Sequence, residues 1–215
     1  MRPEDLAQLR IPSDPTLSPD GGTAVVAVTR PDLGDDEYRS ELWAVPSGGG
    51  TPPRRLTQGP RDAAPRYSPN GHWLSFLRAD GGPPQLMVIP VAGGEPRKVT
   101  DHKLGAGSPV WSPDSTRIAY TARVPEEGRY GTDEDVPAEK EPPRLITTYR
   151  YRMDGLGFTI DQRNHVFVVD VSDDDAEPAQ ITRGDFDHGG PFWRPDGRKL
   201  GFVSARHDKI GRAHV

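Results

Sequence analysis

A four-residue turn motif recurs along the sequence, and each copy is followed by a short apolar run. The copies are "LSPDGGTAVVAV" from Leu17, "YSPNGHWLSFL" from Tyr67, "WSPDSTRIAYT" from Trp111 and "WRPDGRKLGFV" from Trp193. Proline sets the φ of the second turn residue, Asp or Asn accepts hydrogen bonds from the nearby backbone, and Gly supplies a positive φ. The apolar residues that follow recur with period two, as in a strand. Each copy therefore predicts the entrance to a β-hairpin.

The spacing of the motif indicates what kind of repeat it is. The Pro-Asp or Pro-Asn pairs of the motif are Pro19 with Asp20, Pro69 with Asn70, Pro113 with Asp114, and Pro195 with Asp196. The prolines are separated by 50, 44 and 82 residues. A period of about 40 to 50 residues is typical of propeller blades.

A second pattern follows three of the turns at a regular distance. The segments "ELWAVPSGGGTPPRRLT", "QLMVIPVAGGEPRKVT" and "HVFVVDVSDDDAEPAQIT" each predict a third strand, a turn and a short outer strand. One repeat thus contains four short strands. We therefore predict an all-β fold, an incomplete β-propeller of four-stranded antiparallel blades, in preference to a β-sandwich of unrelated hairpins.

An aromatic residue precedes three of the turns, namely Tyr67, Trp111 and Trp193. A blade cannot bury both of its faces alone, so large side chains at equivalent positions are needed between neighbouring blades. We interpret these aromatics as inter-blade packing residues. An aromatic cage for a ligand is the less favoured alternative.

The repeats divide the chain into a lead-in segment with a short helix at residues 1–16 and a partial propeller at 17–208. The predicted blades lie near 17–60, 61–103, 104–184 and, incompletely, 185–208. Residues 124–164 lengthen the third blade and are either an insertion or a degenerate blade. We favour an insertion, because "HVFVVDV" still provides the third strand. The pattern ends abruptly after "GFVSARHD", so we interpret residues 209–215 as a non-native tail.

Several classes of chemistry find no support in the sequence. The absence of cysteine excludes disulfides, thiolate zinc sites and thiol nucleophiles. The net charge of −5 is spread along the chain, so we expect no nucleic-acid partner. We expect no metal, since "DFDHGG" lacks a second ligand-rich segment, and no cofactor. The amino terminus predicts neither a signal peptide nor a membrane span, which makes a cytoplasmic location the default. No G-x-S-x-G occurs, so we expect no catalytic residue in this chain.

Together, "PEDLAQLRIPSDPTLSPDG", "ELWAVP" with "RRLT", "YRYRMDGLGF", "HVFVVDV" and "QITRGD" resemble the amino-terminal propeller of the prolyl oligopeptidase superfamily. The resemblance is strongest to its acylaminoacyl-peptidase and dipeptidyl-aminopeptidase branch. The turn repeats alone are shared with TolB-like propellers. The resemblance implies a seven-bladed propeller followed by an α/β-hydrolase domain that carries Ser, Asp and His. Seven blades need roughly 300 residues, so the hydrolase domain is expected beyond residue 215.

The function that this resemblance implies is that of a serine peptidase whose propeller admits short peptides to a buried active site. The present chain alone is then expected to be inactive, with the hydrolase domain as its partner. Arg150 and Arg152 alternate on one face of a predicted strand and are candidates for contacting a peptide carboxylate or carbonyl; they also fit solvent-facing arginines of an edge strand. The alternative function is a non-catalytic, TolB-like interaction platform.

Overall fold

The computed structural model describes residues 2–131, 133, 135–149, 151–204 and 206, and their regular secondary structure is almost entirely β-strand. A short 3-10 helix, Pro3–Gln8, precedes the first strand. No helix in the described ranges is long and apolar enough to cross a membrane. The two predicted features at residue 150 and at 209–215 lie outside the described residues.

The first sheet is an antiparallel meander of four strands. They are β1 (Ile11–Leu17), β2 (Thr23–Asp32), β3 (Glu37–Pro46) and β4 (Arg54–Arg55), in the spatial order β1-β2-β3-β4. The second sheet repeats this order with β5 (Asp62–Tyr67), β6 (Trp73–Arg78), β7 (Gln85–Pro90) and β8 (Arg97–Lys98). Each sheet has the arrangement of a propeller blade, and we call them blades 1 and 2.

Blade 3 has the same order but a long connection between its second and third strands. It consists of β9 (Val110–Trp111), β10 (Arg117–Pro125), β13 (Gln162–Asp170) and β14 (Ala179–Gln180). Residues 126–161, which we call the excursion, leave the end of β10 and return at the start of β13. They contain a 3-10 helix at Ala138–Lys140 and a small hairpin of β11 (Arg152–Met153) and β12 (Gly157–Phe158). Within the described residues, blade 4 is the pair β15 (His188–Trp193) and β16 (Leu200–Ser204).

The predicted fold class is confirmed: the chain is all-β, with four-stranded antiparallel blades in succession. The first blade begins at Ile11, inside the range that the sequence analysis treated as a lead-in. Strand β1 is largely exposed and contains two prolines, so it lacks the period-two apolar pattern of a buried strand. Its identity comes from backbone pairing with β2, from Ile11↔Thr29 to Leu17↔Ala24.

The apolar core lies between the blades rather than within one of them. Successive side chains of a strand point to opposite faces, and β7 uses both. Met87 and Ile89 join a cluster with blade 1, whereas Leu86 and Val88 join a cluster with blade 3. The first cluster includes Val25, Ala27, Leu42 and Ala44; the second includes Trp111, Ile118, Tyr120 and Phe167. A continuous apolar run in β7 is therefore the signature of a strand covered on both sides.

The tryptophans before the turns also bridge neighbouring blades. Trp111 is 7% exposed, and its indole Nε1 donates a hydrogen bond to the Arg66 carbonyl of blade 2 at 3.1 Å. Trp193 of blade 4 makes the equivalent bond to the Val110 carbonyl of blade 3, also at 3.1 Å. Arg66 and Val110 each precede the aromatic of their own blade. The same indole-to-carbonyl hydrogen bond thus joins blade 2 to blade 3 and blade 3 to blade 4.

All four turn motifs have the same internal hydrogen bonds. The fourth residue donates its backbone N–H to the first carbonyl at 2.8–2.9 Å. The Asp or Asn side chain accepts the N–H two residues later, from Gly22, His72, Thr116 and Arg198 respectively. Hydrogen bonds from the Ser112 hydroxyl and then from the Thr116 N–H lower the pKa of Asp114 to about 2. The carboxylate is therefore part of the folded turn.

The turns of blades 2 and 3 are joined at the one motif that lacks glycine. Ser115 has a φ of 63°, and its hydroxyl oxygen accepts the Asn70 N–H at 3.0 Å. We expect Ser115→Ala to destabilise the protein by about 1 to 2 kcal/mol, because it loses this bond and keeps the left-handed backbone. Ser115→Gly loses the same bond but relieves the backbone cost, so its stability should lie within about 0.5 kcal/mol of the original. Urea unfolding of both variants measures the difference, and equal losses would contradict this account.

Candidate functional site

A cavity of about 580 Å³ lies where the excursion leaves and rejoins blade 3. Its walls come from the end of β10, from both arms of the excursion, from the start of β13 and from the loop before β15. The lining residues are Val124, Pro125, Glu126, Arg129, Pro143, Arg144, Leu145, Thr147, Thr148, Ile160, Asp161, Arg163, His165, Gly184 and Asp185. The cavity therefore combines charged groups of both signs with apolar surface.

The position of this cavity follows from the length over which β10 and β13 pair. The two strands pair from Arg117↔Asp170 as far as Pro125↔Gln162, so the ends of the excursion are held side by side. One more backbone hydrogen bond, from the Glu126 N–H to the Asp161 carbonyl at 2.7 Å, continues the closure beyond the strands. The excursion must consequently fold back over the end of blade 3.

A charge network fixes the base of the excursion. The Asp161 side chain is 7% exposed and accepts a hydrogen bond from Arg144 Nε at 2.6 Å. Arg129 Nε lies 3.5 Å from the same carboxylate. Arg144 also donates to both Glu141 oxygens, at 2.9 and 2.5 Å, and its guanidinium lies 4.0 Å from the Phe158 ring centroid. One arginine therefore connects the two arms of the excursion.

The electrostatics of this network favour the ionised forms of Arg144 and Glu141. Burial disfavours the charged form of Arg144, but hydrogen bonds to Glu141 and Asp161 outweigh it and raise the pKa of the guanidinium. The hydrogen bond from Arg144 lowers the pKa of the Glu141 carboxyl. Arg144 and Glu141 are thus both charged at neutral pH, and the Arg144 donors are directed at the carboxylates of Glu141 and Asp161.

The opposite wall carries a cation and a histidine from β13. Arg163 Nε contacts Asp185 at 2.8 Å, which ties blade 3 to the loop that enters blade 4. His165 is 6% exposed, and its Nδ1 lies 3.3 Å from the Thr182 hydroxyl oxygen. The imidazole stacks on that of His188 with ring centroids 5.3 Å apart.

Burial of the His165 imidazole lowers its pKa, and the neighbouring His188 lowers it further, whereas Asp187 acts in the opposite direction. His165 is therefore neutral at physiological pH. A neutral imidazole can accept or donate one hydrogen bond at the cavity wall. It does not add to the positive charge of the cavity.

Of the two arginines singled out from the sequence, only Arg152 lies in the described residues. It is exposed on β11, paired with Phe158, and its guanidinium lies 5.6 Å from the Phe158 ring. It does not line the cavity. Both arginines therefore stay candidates without a contact that assigns them a role, and Arg150 lies outside the described residues.

The arginines that do line the cavity were not identified from the sequence. Arg129, Arg144 and Arg163 lie up to 34 positions apart in a segment without periodic pattern. The closest signal was the presence of many acidic residues together with several arginines between residues 126 and 163. In the described part of the chain, no group of three or more His, Cys, Asp or Glu side chains has an arrangement that could hold a metal ion.

Comparisons with known proteins extend over nearly the whole chain. The chain is 32% identical over 203 residues to the Bacillus subtilis protein named "Uncharacterized peptidase YuxL", covering 93% of this chain and 30% of that protein. It is 28% identical over 230 residues to dipeptidyl-peptidase 5 of Porphyromonas gingivalis, covering 100% and 32%. The chain thus spans about a third of the length of these relatives. No family model matches it.

Solved structures show the same fold. The acylaminoacyl peptidase of Pyrococcus horikoshii matches with a TM-score of 0.72 and 19% identity, over 97% of this chain and 30% of that one. The β-propeller domain of the Trilobed protease from Pyrococcus furiosus matches with a TM-score of 0.61 and 15% identity, over 97% and 52%. TolB from Acinetobacter baumannii matches less closely, with a TM-score of 0.54 and 15% identity, over 93% and 39%.

The meandering four-stranded sheets, the cores between them and the repeated turns define a β-propeller protein. The relatives that match along nearly the whole chain are named as peptidases. The recognition made from the sequence is confirmed: the peptidase-named relatives and the acylaminoacyl peptidase and Trilobed protease structures support a propeller fragment of the prolyl oligopeptidase family.

Proposed function

We propose that this chain is part of the substrate-restricting propeller of a serine-type peptidase that hydrolyses short peptides. The observation that carries the proposal is the 32% identity over 93% of the chain to a protein named as a peptidase. The fold likeness to acylaminoacyl peptidase supports it. A cytoplasmic location belongs to the same proposal, and subcellular fractionation would test it.

In this proposal the α/β-hydrolase domain is the partner that cuts the peptide, and the excursion is the part of the propeller that meets substrate. The support is positional: the excursion projects from the end of blade 3 and surrounds a cavity with charged walls. Arg144 donates to Asp161 and Glu141, and Arg129 donates to Glu126 and the Pro142 carbonyl, so both arginines hold the excursion in place. The exposed Arg152, and Arg150 two residues before it in sequence, are the proposed contacts to a peptide carboxylate or carbonyl.

Two polypeptides assayed side by side test the proposal: this chain, and the longer protein proposed to contain it. The chain should not hydrolyse a short chromogenic peptide, because amide cleavage needs an activated nucleophile and an oxyanion hole. The longer protein should hydrolyse the peptide, leave a folded protein intact and lose activity with a serine-directed phosphonate. Turnover by this chain, or a longer protein insensitive to the phosphonate, would contradict the proposal.

The second candidate is a non-catalytic interaction platform of the TolB kind. It is supported by the TolB likeness, but the TM-score of 0.54 is well below the 0.72 of the acylaminoacyl peptidase. This candidate predicts a full-length protein with no turnover of any short peptide. The same pair of assays therefore distinguishes the two functions.

A further inference from the structure

A second cavity lies between blades 1 and 2, away from the excursion, and has a volume of about 320 Å³. Its walls adjoin the apolar cluster shared by these two blades. The lining residues are Thr23, Ala44, Arg54, Leu56, Tyr67, Leu74, Ile89, Pro90, Val91, Gly93 and Gly94. The volume falls within the range of small-molecule sites, about 300 to 1,000 Å³, and the mainly apolar lining is also typical of them.

Two polar side chains on this cavity have no partner among the described residues. Arg54 on β4 forms no ion pair there, although its neighbour Arg55 contacts Glu41 at 3.3 Å. The Tyr67 hydroxyl forms no hydrogen bond with the described part of the chain, although the ring is half-buried against the blade 1 and 2 cluster. A guanidinium and a phenol are thus available on an otherwise apolar surface.

The charges nearby narrow the kind of ligand. Burial is the main reason that the pKa of the Tyr67 phenol is raised; the charge of Asp20 raises it further and that of Arg54 lowers it. The Asp20 carboxylate is engaged within its own turn by the Ser18 hydroxyl and the Gly22 N–H. Arg54 can neutralise one negative charge on a ligand, whereas the nearby Asp20 carboxylate repels any further negative charge. The two charges together therefore favour a monoanion over a multiply charged phosphate.

We infer that the cavity between blades 1 and 2 binds a small apolar monocarboxylate, with its chain among Leu56, Leu74 and Ile89 and its carboxylate on Arg54 and Tyr67. A carboxylate accepts two hydrogen bonds from a guanidinium and one from a phenol, which completes both groups. A ligand of about ten to fifteen non-hydrogen atoms would fill the space. This site goes beyond the proposed function and does not depend on it.

The test uses 4-phenylbutyrate and its uncharged analogue 4-phenylbutan-1-ol, titrated calorimetrically into the purified protein. Arg54→Gln should weaken 4-phenylbutyrate binding about tenfold, because a charge-assisted contact is lost. Arg55→Gln is the matched control: adjacent strand residues point to opposite faces, and Arg55 does not line the cavity. It should change binding less than about twofold. Tyr67→Phe should weaken the acid about threefold and leave the alcohol unchanged.

Three results would overturn the inference. One is the absence of saturable 4-phenylbutyrate binding up to about 10 mM. Another is equal weakening by Arg54→Gln and Arg55→Gln, each checked by thermal melting to be folded. The last is equal affinity for the acid and the alcohol, which would leave an apolar cavity with no carboxylate selectivity.

Discussion

Replacing Trp111 by alanine is expected to lower the free energy of unfolding by about 3 to 5 kcal/mol. The indole is 7% exposed and belongs to the cluster that joins blades 2 and 3. Its removal leaves a cavity between two sheets, and the sheets cannot move together enough to fill it. It also leaves the Arg66 carbonyl without the indole hydrogen bond at 3.1 Å.

Denaturant titration of the purified protein measures this loss, and Trp111→Phe separates its two parts. The phenylalanine variant keeps most of the apolar contact but cannot donate to Arg66, so it should lose only about 1 to 2 kcal/mol. A loss below about 1 kcal/mol for Trp111→Ala would mean that the indole does not stabilise the blade boundary.

Arg78→Ala is the second change with a large expected effect, again about 3 to 5 kcal/mol. The Asp62 carboxylate is fully buried and accepts two hydrogen bonds from Arg78, at 2.7 and 2.9 Å. Hydrogen bonding to Asp62 is the main reason that the pKa of Arg78 is raised, against the effect of burial. Removing the guanidinium leaves an unpaired charge in the interior.

A variant that removes both charges of the pair tests that explanation. The double variant Asp62→Leu with Arg78→Met removes both charges and should be less destabilised than Arg78→Ala alone. Arg55→Ala, which breaks the exposed pair with Glu41, is the surface control and should cost less than about 1 kcal/mol. If Arg78→Ala and Arg55→Ala lose equal stability in urea unfolding, the buried pair has no special role.

The packing around this ion pair explains why the residue at position 59, in the loop before β5, is glycine. A Cβ built on Gly59 would overlap the side chains of both Arg78 and Asp62. The backbone therefore approaches the pair too closely for any side chain. Ser40 of blade 1 adds a hydrogen bond to the Asp62 carbonyl at 2.8 Å, so the pair lies at the boundary between blades 1 and 2.

The parts of the fold that could be predicted from the sequence are those encoded locally. A Ser-Pro-Asp-Gly turn specifies its own hydrogen bonds, and the apolar alternation after it specifies a strand. The turn also tolerates Ser115 in place of glycine, because the Asn70 N–H gives the serine hydroxyl a partner. Strand β1 carries no such pattern, since most of its residues are exposed and only its backbone pairs.

The candidate site could not be predicted in the same way. Arg129, Arg144 and Asp161 come together only because β10 and β13 pair along their full length and bring the ends of the excursion together. Sequence reasoning singled out Arg150 and Arg152 from their alternation on a strand. Alternation reports which side chains share a face, but it does not report which charges meet after a chain reversal.

Each described four-stranded blade takes all of its strands from one continuous stretch of chain, such as 11–55 for blade 1 and 62–98 for blade 2. Neighbouring blades are joined mainly by side chains, with Ser40↔Arg61 as an isolated backbone bridge at the first boundary. Separating two described blades therefore requires mainly the loss of side-chain contacts. We therefore expect two neighbouring blades to separate under force before either blade loses a strand.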